Sequence, residues 1–81
     1  MTTTQIEEFI NDNIFDKNIN QAEEELKTIF SEVECYDDDI DNKTPNGEYL
    51  MYKGFNCSTD EDFFDITLYY VNDVVTDYAI Q

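Results

Sequence analysis

Residues 32–48 read Glu-Val-Glu-Cys-Tyr-Asp-Asp-Asp-Ile-Asp-Asn-Lys-Thr-Pro-Asn-Gly-Glu and separate two halves of the chain that have different hydrophobic periods. Seven of these residues carry carboxylates and one is a lysine. Upstream, apolar residues recur every three to four positions, as in amphipathic helices, whereas downstream they alternate, as in half-buried strands. We therefore interpret the stretch as an acidic loop that joins a helical half to a β half.

The helical half predicts two helices. Thr4 and Glu7 fit a capping box, and apolar residues behind them keep helical spacing over about residues 5–14. Asn20 fits the N-cap of a second helix, and residues 23–25 place three glutamates near the positive end of its dipole. A single buried stripe then follows at helical spacing and consists of Ala22, Leu26, Ile29, Phe30 and Val33.

The β half begins after the turn signal Pro45-Asn46-Gly47. Strands are predicted over residues 48–55, 63–71 and 74–80, with a polar loop over 56–62. The fold class is therefore α+β, with two N-terminal helices packed on a three-stranded antiparallel β-sheet (ααβββ) in a single domain of residues 1–81. The opposite face of the sheet, which carries Asp65, Tyr69 and Asp77, is expected to stay wet.

The register of the last two strands decides where Asp77 lies. A simple two-residue turn would place Asp77 beside Leu68 on the buried face. A bulge or a longer connection moves Asp77 to the wet face, because a one-residue slip exchanges the faces of a strand. We therefore predict the longer connection, in which the opposing pairs are Phe64 with Ile80, Ile66 with Tyr78 and Tyr70 with Val74.

The composition excludes several classes of function. The chain has twenty Asp and Glu residues, four Lys and no Arg or His, so its formal charge is −16. Direct binding to nucleic acid or to an anionic membrane needs basic residues at the contact. The chain has no histidine to act as the usual general base and no glycine-rich phosphate loop, so we expect that it is not an enzyme and binds no cofactor. With 41% hydrophobic and 15% aromatic residues, the chain should nevertheless fold.

The remaining sequence features predict an intracellular protein without a metal centre. The N-terminus lacks a signal-peptide pattern, no apolar run is long enough to cross a bilayer, and Cys35 and Cys57 are expected to be reduced thiols. Asp37, Asp39 and Asp41 with Glu48 match positions 1, 3, 5 and 12 of a calcium-binding EF-hand loop. The required glycine is replaced by asparagine and strand follows instead of helix, so weak, nonspecific cation binding is the expectation.

The acidic residues are the candidate binding groups. In an extended segment, alternate side chains lie about 6.6 Å apart. Successive phosphates of one DNA strand rise about 3.4 Å along the axis and are farther apart through space, so the two spacings are comparable. The predicted partner-binding residues are Tyr36, Asp37, Asp38, Asp39, Asp41, Asp60, Glu61 and Asp62.

In size, charge and α/β layout the chain resembles the small acidic proteins of phages and mobile elements that mimic DNA. Anti-CRISPR proteins, anti-restriction proteins and uracil-DNA glycosylase inhibitors belong to this class. The resemblance implies an anti-CRISPR inhibitor in the cytoplasm of a bacterial host. Its acidic groups would occupy the DNA-reading site of a Cas effector, with a restriction enzyme or a DNA repair enzyme as other targets.

Two other functions use the same features. An immunity protein or antitoxin would neutralise a basic nuclease through similar charge complementarity. A small acidic adaptor would bind through an apolar patch, for which Tyr69, Val75 and the sheet edge are the candidates. Pairing of edge strands would allow a homodimer.

Overall fold

Two short helices precede a four-stranded antiparallel meander in the computed structural model, which describes residues 1–81. The strands lie side by side in chain order, so the α+β class is confirmed, but the sheet has four strands where three were predicted. The elements are α1 (Thr3–Asn13), a 3-10 turn (Ile19–Gln21), α2 (Ala22–Leu26), β1 (Glu32–Lys43), β2 (Tyr49–Ser58), β3 (Phe63–Val71) and β4 (Val74–Ile80).

The additional strand, β1, is the acidic segment that the sequence predicted as a loop. It pairs with β2 along its whole length, and β2 is longer than predicted because residues 56–58 belong to it. Two bulges, at Tyr36 and Asp41, interrupt the alternation of β1. Aspartate also has a low intrinsic preference for strands. Pairing with the hydrophobic β2 therefore determines the conformation of β1, and its own residues give little sign of it.

The helices also begin and end differently from the prediction. Thr2, not Thr4, caps α1 and forms a capping box with Gln5. Asn18, not Asn20, caps the 3-10 turn that leads into α2. The second helix ends at Leu26, and the predicted stripe continues through a turn into Val33 of β1. No helix of the fold has the length and apolar character needed to cross a bilayer.

The hydrophobic core lies between the helices and one face of the sheet. Side chains of both helices contribute to it, and β2, β3 and β4 supply the sheet side. Val75 is fully buried, so it cannot belong to the exposed apolar patch that the adaptor hypothesis required. The thirteen buried members are Ile6, Ile10, Ile14, Ile19, Ala22, Leu26, Phe30, Phe55, Cys57, Ile66, Leu68, Tyr70 and Val75.

The β3–β4 connection combines a two-residue turn with a bulge. Asn72 and Asp73 both have positive φ (51° and 67°), as the tight primed turns of hairpins require. Thr76 is then the extra residue, and Asp77 lies opposite Tyr69 on the wet face. The predicted face of Asp77 is thus right. The predicted pairs are wrong, and those observed include Tyr70 with Val75, Leu68 with Tyr78 and Ile66 with Ile80.

The two edges of the sheet differ. Residues 16–19 run along the start of β4, where the amides of Asp16 and Ile19 donate to the carbonyls of Val75 and Asp73. The opposite edge, β1, has no neighbouring strand, and all its residues except Val33 are exposed. The edge that is open along its whole length is therefore the acidic one.

Candidate interaction surface

β1 displays six carboxylates along the exposed edge, contributed by Glu32, Glu34, Asp37, Asp38, Asp39 and Asp41. At about 3.3 Å per residue, the segment from Glu32 to Asp41 spans about 30 Å before its two bulges are considered. The strand is fixed by its ladder to β2. We call this set of six residues the acidic edge.

The aspartates of the acidic edge divide between the two faces of the sheet. Asp37 and Asp39 lie opposite Gly54 and Tyr52, on the side of the sheet that carries no helix. We call this side the open face. Asp38 opposes Lys53 on the helix side. There its carboxylate accepts a hydrogen bond of 2.8 Å from the hydroxyl of Tyr70 and lies 3.9 Å from the Lys53 ammonium. Asp38 therefore has a structural partner that Asp39 lacks.

A row of four residues crosses the open face, one from each strand. Asp39 opposes Tyr52, Tyr52 opposes Tyr69, and Tyr69 opposes Asp77. The two tyrosine rings lie 6.5 Å apart between their centroids and are tilted by 51°. At about 4.8 Å between neighbouring strands, the two terminal aspartates are about 14 Å apart. The open face thus presents an aromatic pair with a carboxylate at each end.

Tyrosine hydroxyls hold two other carboxylates of this face. The Tyr36 hydroxyl lies 2.8 and 3.0 Å from the two oxygens of Asp65, and the Tyr52 hydroxyl donates to Asp37 at 3.0 Å. Hydrogen bonds to an ionised acceptor are stronger than neutral ones. They raise the pKa of both Tyr36 and Tyr52, chiefly because the bonded carboxylate favours the neutral phenol. Asp37 and Asp65 are therefore held in defined orientations.

The lysines leave most of this negative charge uncompensated. Lys27 pairs with Glu23 on α2 at 3.1 Å, and the Lys17 ammonium donates to the carbonyl of Asp12. Lys43 lies over the Tyr49 ring, 5.9 Å from its centroid. Lys53, on the helix side, is the one lysine paired with an acid of β1. The aspartates of the open face have no lysine partner.

The predicted site residues separate into three groups. Tyr36, Asp37, Asp39 and Asp41 lie together on the open face of β1, and Asp38 lies on the helix side. Asp60, Glu61 and Asp62 form the β2–β3 turn, about six residues along the strand direction and so about 20 Å from Asp37. Asp62 there lies 3.3 Å from the N-terminal ammonium. These last three residues belong to a separate acidic turn.

The predicted partner-binding set did not include Tyr52, Asp65, Tyr69 or Asp77, although Tyr69 was a candidate of the adaptor hypothesis. The alternation of residues 63–71 did place Asp65 and Tyr69 on the wet face, and the register argument placed Asp77 there. The face of Tyr52 was ambiguous in the sequence. The missing signal was the pairing of β1 with β2, which adds Asp37 and Asp39 to the open face on which these four residues lie.

The thiols and the carboxylates are not arranged as a metal site. Residues 37–48 form a strand and a tight turn, in place of the loop between two helices that defines an EF-hand. No group of three or more acidic or thiol side chains is arranged to hold a metal ion. Both cysteines are free, and burial raises the pKa of Cys57 to about 12, which suppresses its thiolate.

Comparison with known proteins provides no relative from which a function could be transferred. No protein-family model, no curated protein and no solved structure matches the chain. A functional assignment therefore depends on the geometry and charge of the surface described above.

Proposed function

We propose that this protein binds the basic nucleic-acid-binding groove of another protein and thereby blocks its access to DNA. The observation that carries the proposal is the acidic edge, a row of six exposed carboxylates on one fixed strand. A basic groove built for phosphates offers lysines and arginines, which attract such a row. The net charge of −16 extends the attraction over the whole molecule.

The dimensions of the acidic edge support this proposal. Its length of about 30 Å equals the axial length of about nine successive phosphates in one strand of duplex DNA. Asp37 and Asp39 lie on one side of the strand, about 6.6 Å apart along it. Lysine and arginine side chains are long enough to adjust to differences of a few ångströms between the two charge patterns.

The rigidity of the surface also supports the proposal. A disordered acidic tail loses conformational entropy when it binds, and this loss weakens its affinity. Here the backbone of the acidic edge is already paired with β2, and Tyr52 already orients Asp37. Binding therefore requires little further ordering of these groups.

The resemblance to phage inhibitors makes a Cas effector of a bacterial defence system the first target to test. An immunity function against a basic nuclease remains the second candidate, since the same charge pattern serves both. An adaptor function would rely on apolar contacts, for which the three most exposed large side chains are Phe63 (64% exposed), Tyr49 (55%) and Ile40 (51%).

Capture of partners from bacterial lysate, at low and at high salt and with or without duplex DNA, tests the proposal. Release of a nucleic-acid enzyme by salt and by DNA is the expected result. Capture of a nuclease toxin encoded beside the gene would favour the immunity function. Capture that neither salt nor DNA changes would contradict DNA mimicry and favour the adaptor function.

A pair of matched variants tests the contribution of the acidic edge. Asp39→Lys with Asp41→Lys reverses two charges of β1 that make no side-chain hydrogen bond to another side chain. Glu7→Lys with Glu8→Lys makes the same change in charge on the exposed side of α1. We expect the first pair to weaken target binding at least about tenfold, or about 1.4 kcal/mol, and the second to have a much smaller effect. Equal effects would show that only net charge matters.

A further inference from the structure

The open face contains a shallow depression with a composition unlike the rest of the acidic surface. Its lining includes Asp41, Leu50, Tyr69, Asp77 and Ala79, which come from all four strands. Two carboxylates, an aromatic ring and two aliphatic side chains therefore border the same space. The four strands form a continuous hydrogen-bonded sheet, so the positions of these groups are fixed relative to one another.

Two β-bulges bring the carboxylates to this depression. Asp41 is the extra residue of the second bulge of β1, and Thr76 is the extra residue of the bulge in β4. Without the bulge in β4, the two-residue turn would place Asp77 opposite Leu68, in the core. Bulges commonly redirect side chains at functional surfaces. Two separate irregularities of the sheet thus converge on one small area.

Three further side chains of the depression are suited to a flat cation with an apolar stem. The Tyr69 ring is half-buried, next to the Tyr52 ring, and its π-face attracts cations. Leu50 and Ala79 offer apolar surface for methylene groups. Arginine combines such a stem with a planar guanidinium that stacks on aromatic rings and pairs with carboxylates through two parallel hydrogen bonds. Lysine provides a compact charge without a plane.

We propose that this depression receives an arginine side chain of the partner protein, with Tyr69 beneath the guanidinium, Asp77 opposite Tyr69 as its carboxylate acceptor, and Asp41 adding negative charge at the other rim. This inference rests on the proposed function, since a basic nucleic-acid-binding groove supplies the arginine. It adds a defined contact on the open face to the general attraction of the acidic edge.

Peptide titration of the isolated protein, followed by nuclear magnetic resonance, tests the arginine site. The probes are three capped pentapeptides, Gly-Ser-Xaa-Ser-Gly, in which Xaa is arginine, lysine or citrulline. We expect the arginine peptide to shift the signals of Leu50, Tyr69 and Ala79, and the lysine peptide to bind about threefold more weakly. Citrulline keeps the shape of arginine without its charge and should produce no shift.

Variants connect this selectivity to named side chains. Asp41→Asn with Asp77→Asn should weaken arginine-peptide binding about fivefold, whereas Glu7→Gln with Glu8→Gln, which removes the same charge from α1, should change it less than about twofold. Tyr69→Leu should remove the preference for arginine over lysine while leaving a general attraction of both peptides. Amide spectra of each variant establish that the fold is retained. If Tyr69→Leu fails to fold, the comparison of the Asp41→Asn, Asp77→Asn double variant with its charge-matched control alone tests the arginine site.

The inference is overturned if arginine and lysine peptides bind the unchanged protein equally, or if the two double variants have equal effects. Its failure is distinguishable from failure of the proposed function. Equal peptide binding together with DNA-sensitive capture of a partner would leave mimicry standing without an arginine site. Selective arginine binding together with capture that DNA does not affect would retain the site and contradict mimicry.

Discussion

The hydroxyl of Tyr36 on β1 reaches over Gly54 of β2 to the carboxylate of Asp65 on β3, with oxygen–oxygen distances of 2.8 and 3.0 Å. A β-carbon on Gly54 would lie 2.8 Å from the Cζ atom of Tyr36, closer than nonbonded atoms approach. The tyrosine therefore occupies the space that glycine leaves free. This bridge ties the exposed edge strand to the middle of the sheet.

Gly54→Ala should therefore destabilise the protein. Alanine lowers the conformational entropy of the unfolded chain, which by itself would favour folding, but the clash with Tyr36 outweighs this gain. We expect the free energy of unfolding, measured by urea denaturation, to fall by about 1 kcal/mol, because the Tyr36 ring must swing away and lose its hydrogen bond to Asp65. Tyr36→Phe, which loses only the hydrogen bond, should cost about 1 kcal/mol. In a Tyr36→Ala background, Gly54→Ala should be nearly neutral. An equal loss in both backgrounds would contradict the bridge.

Neighbouring aspartates of β1 should differ in their effect on stability. Asp38→Ala leaves the buried Tyr70 without the carboxylate that its hydroxyl donates to, which should lower the free energy of unfolding by about 1–3 kcal/mol. Asp39→Ala removes only a local bond to the amide of Ile40 and some repulsion, so its effect should stay within about 0.5 kcal/mol. Urea midpoints of the two variants at neutral pH provide the measurement. Equal losses would show that Asp38 has no structural role.

The sequence predicted those parts of the fold in which local pattern and tertiary structure agree. The alternation of residues 63–71 corresponds to β3, and the apolar residues at helical spacing in α1 include its buried Ile6 and Ile10. The apolar residue Phe30 is also buried as predicted, although the chain is no longer helical there. Hydrophobic spacing thus identified burial more reliably than conformation.

β1 escaped prediction because nothing within the segment encodes its pairing. Five of its residues between Tyr36 and Lys43 are Asp or Asn, which favour turns, and two bulges break the alternation. The candidate surface was incompletely predicted for the same reason. The row that joins Asp39, Tyr52, Tyr69 and Asp77 depends on three strand registers at once, and only one of them could be argued from the sequence.

Alkaline pH should destabilise the fold through two groups of the core. Burial, followed by the hydrogen bond to Asp38, raises the pKa of Tyr70 from 10.0 to about 12. Burial likewise raises the pKa of Cys57 from 9.0 to about 12. Both groups lose their protons more readily in the unfolded chain. Their contribution to stability is therefore complete below about pH 9 and is lost progressively as the pH approaches about 12.

Urea denaturation between about pH 8 and about pH 11 measures this loss. Tyr70→Phe and Cys57→Ala should each make the decline of the unfolding free energy with pH less steep, whatever their effect at neutral pH, because each removes one titrating group. A decline of unchanged steepness in both variants would show that neither group is responsible.

Salt should act in opposite directions on folding and on partner binding. Raising sodium chloride from about 0.01 M to about 0.1 M shortens the Debye length from about 30 Å to about 10 Å. With a net charge of −16 and three ion pairs, the folded chain mainly repels itself, so its melting temperature should rise. The expected rise is about 4–8 °C for each kcal/mol of repulsion that is screened.

Partner capture should weaken over the same range of salt, because screening also removes the attraction between the acidic edge and a basic groove. Thermal melts and capture in the same buffers separate the two effects. A melting temperature that falls with salt would mean that unfolding, not screening, releases the partner.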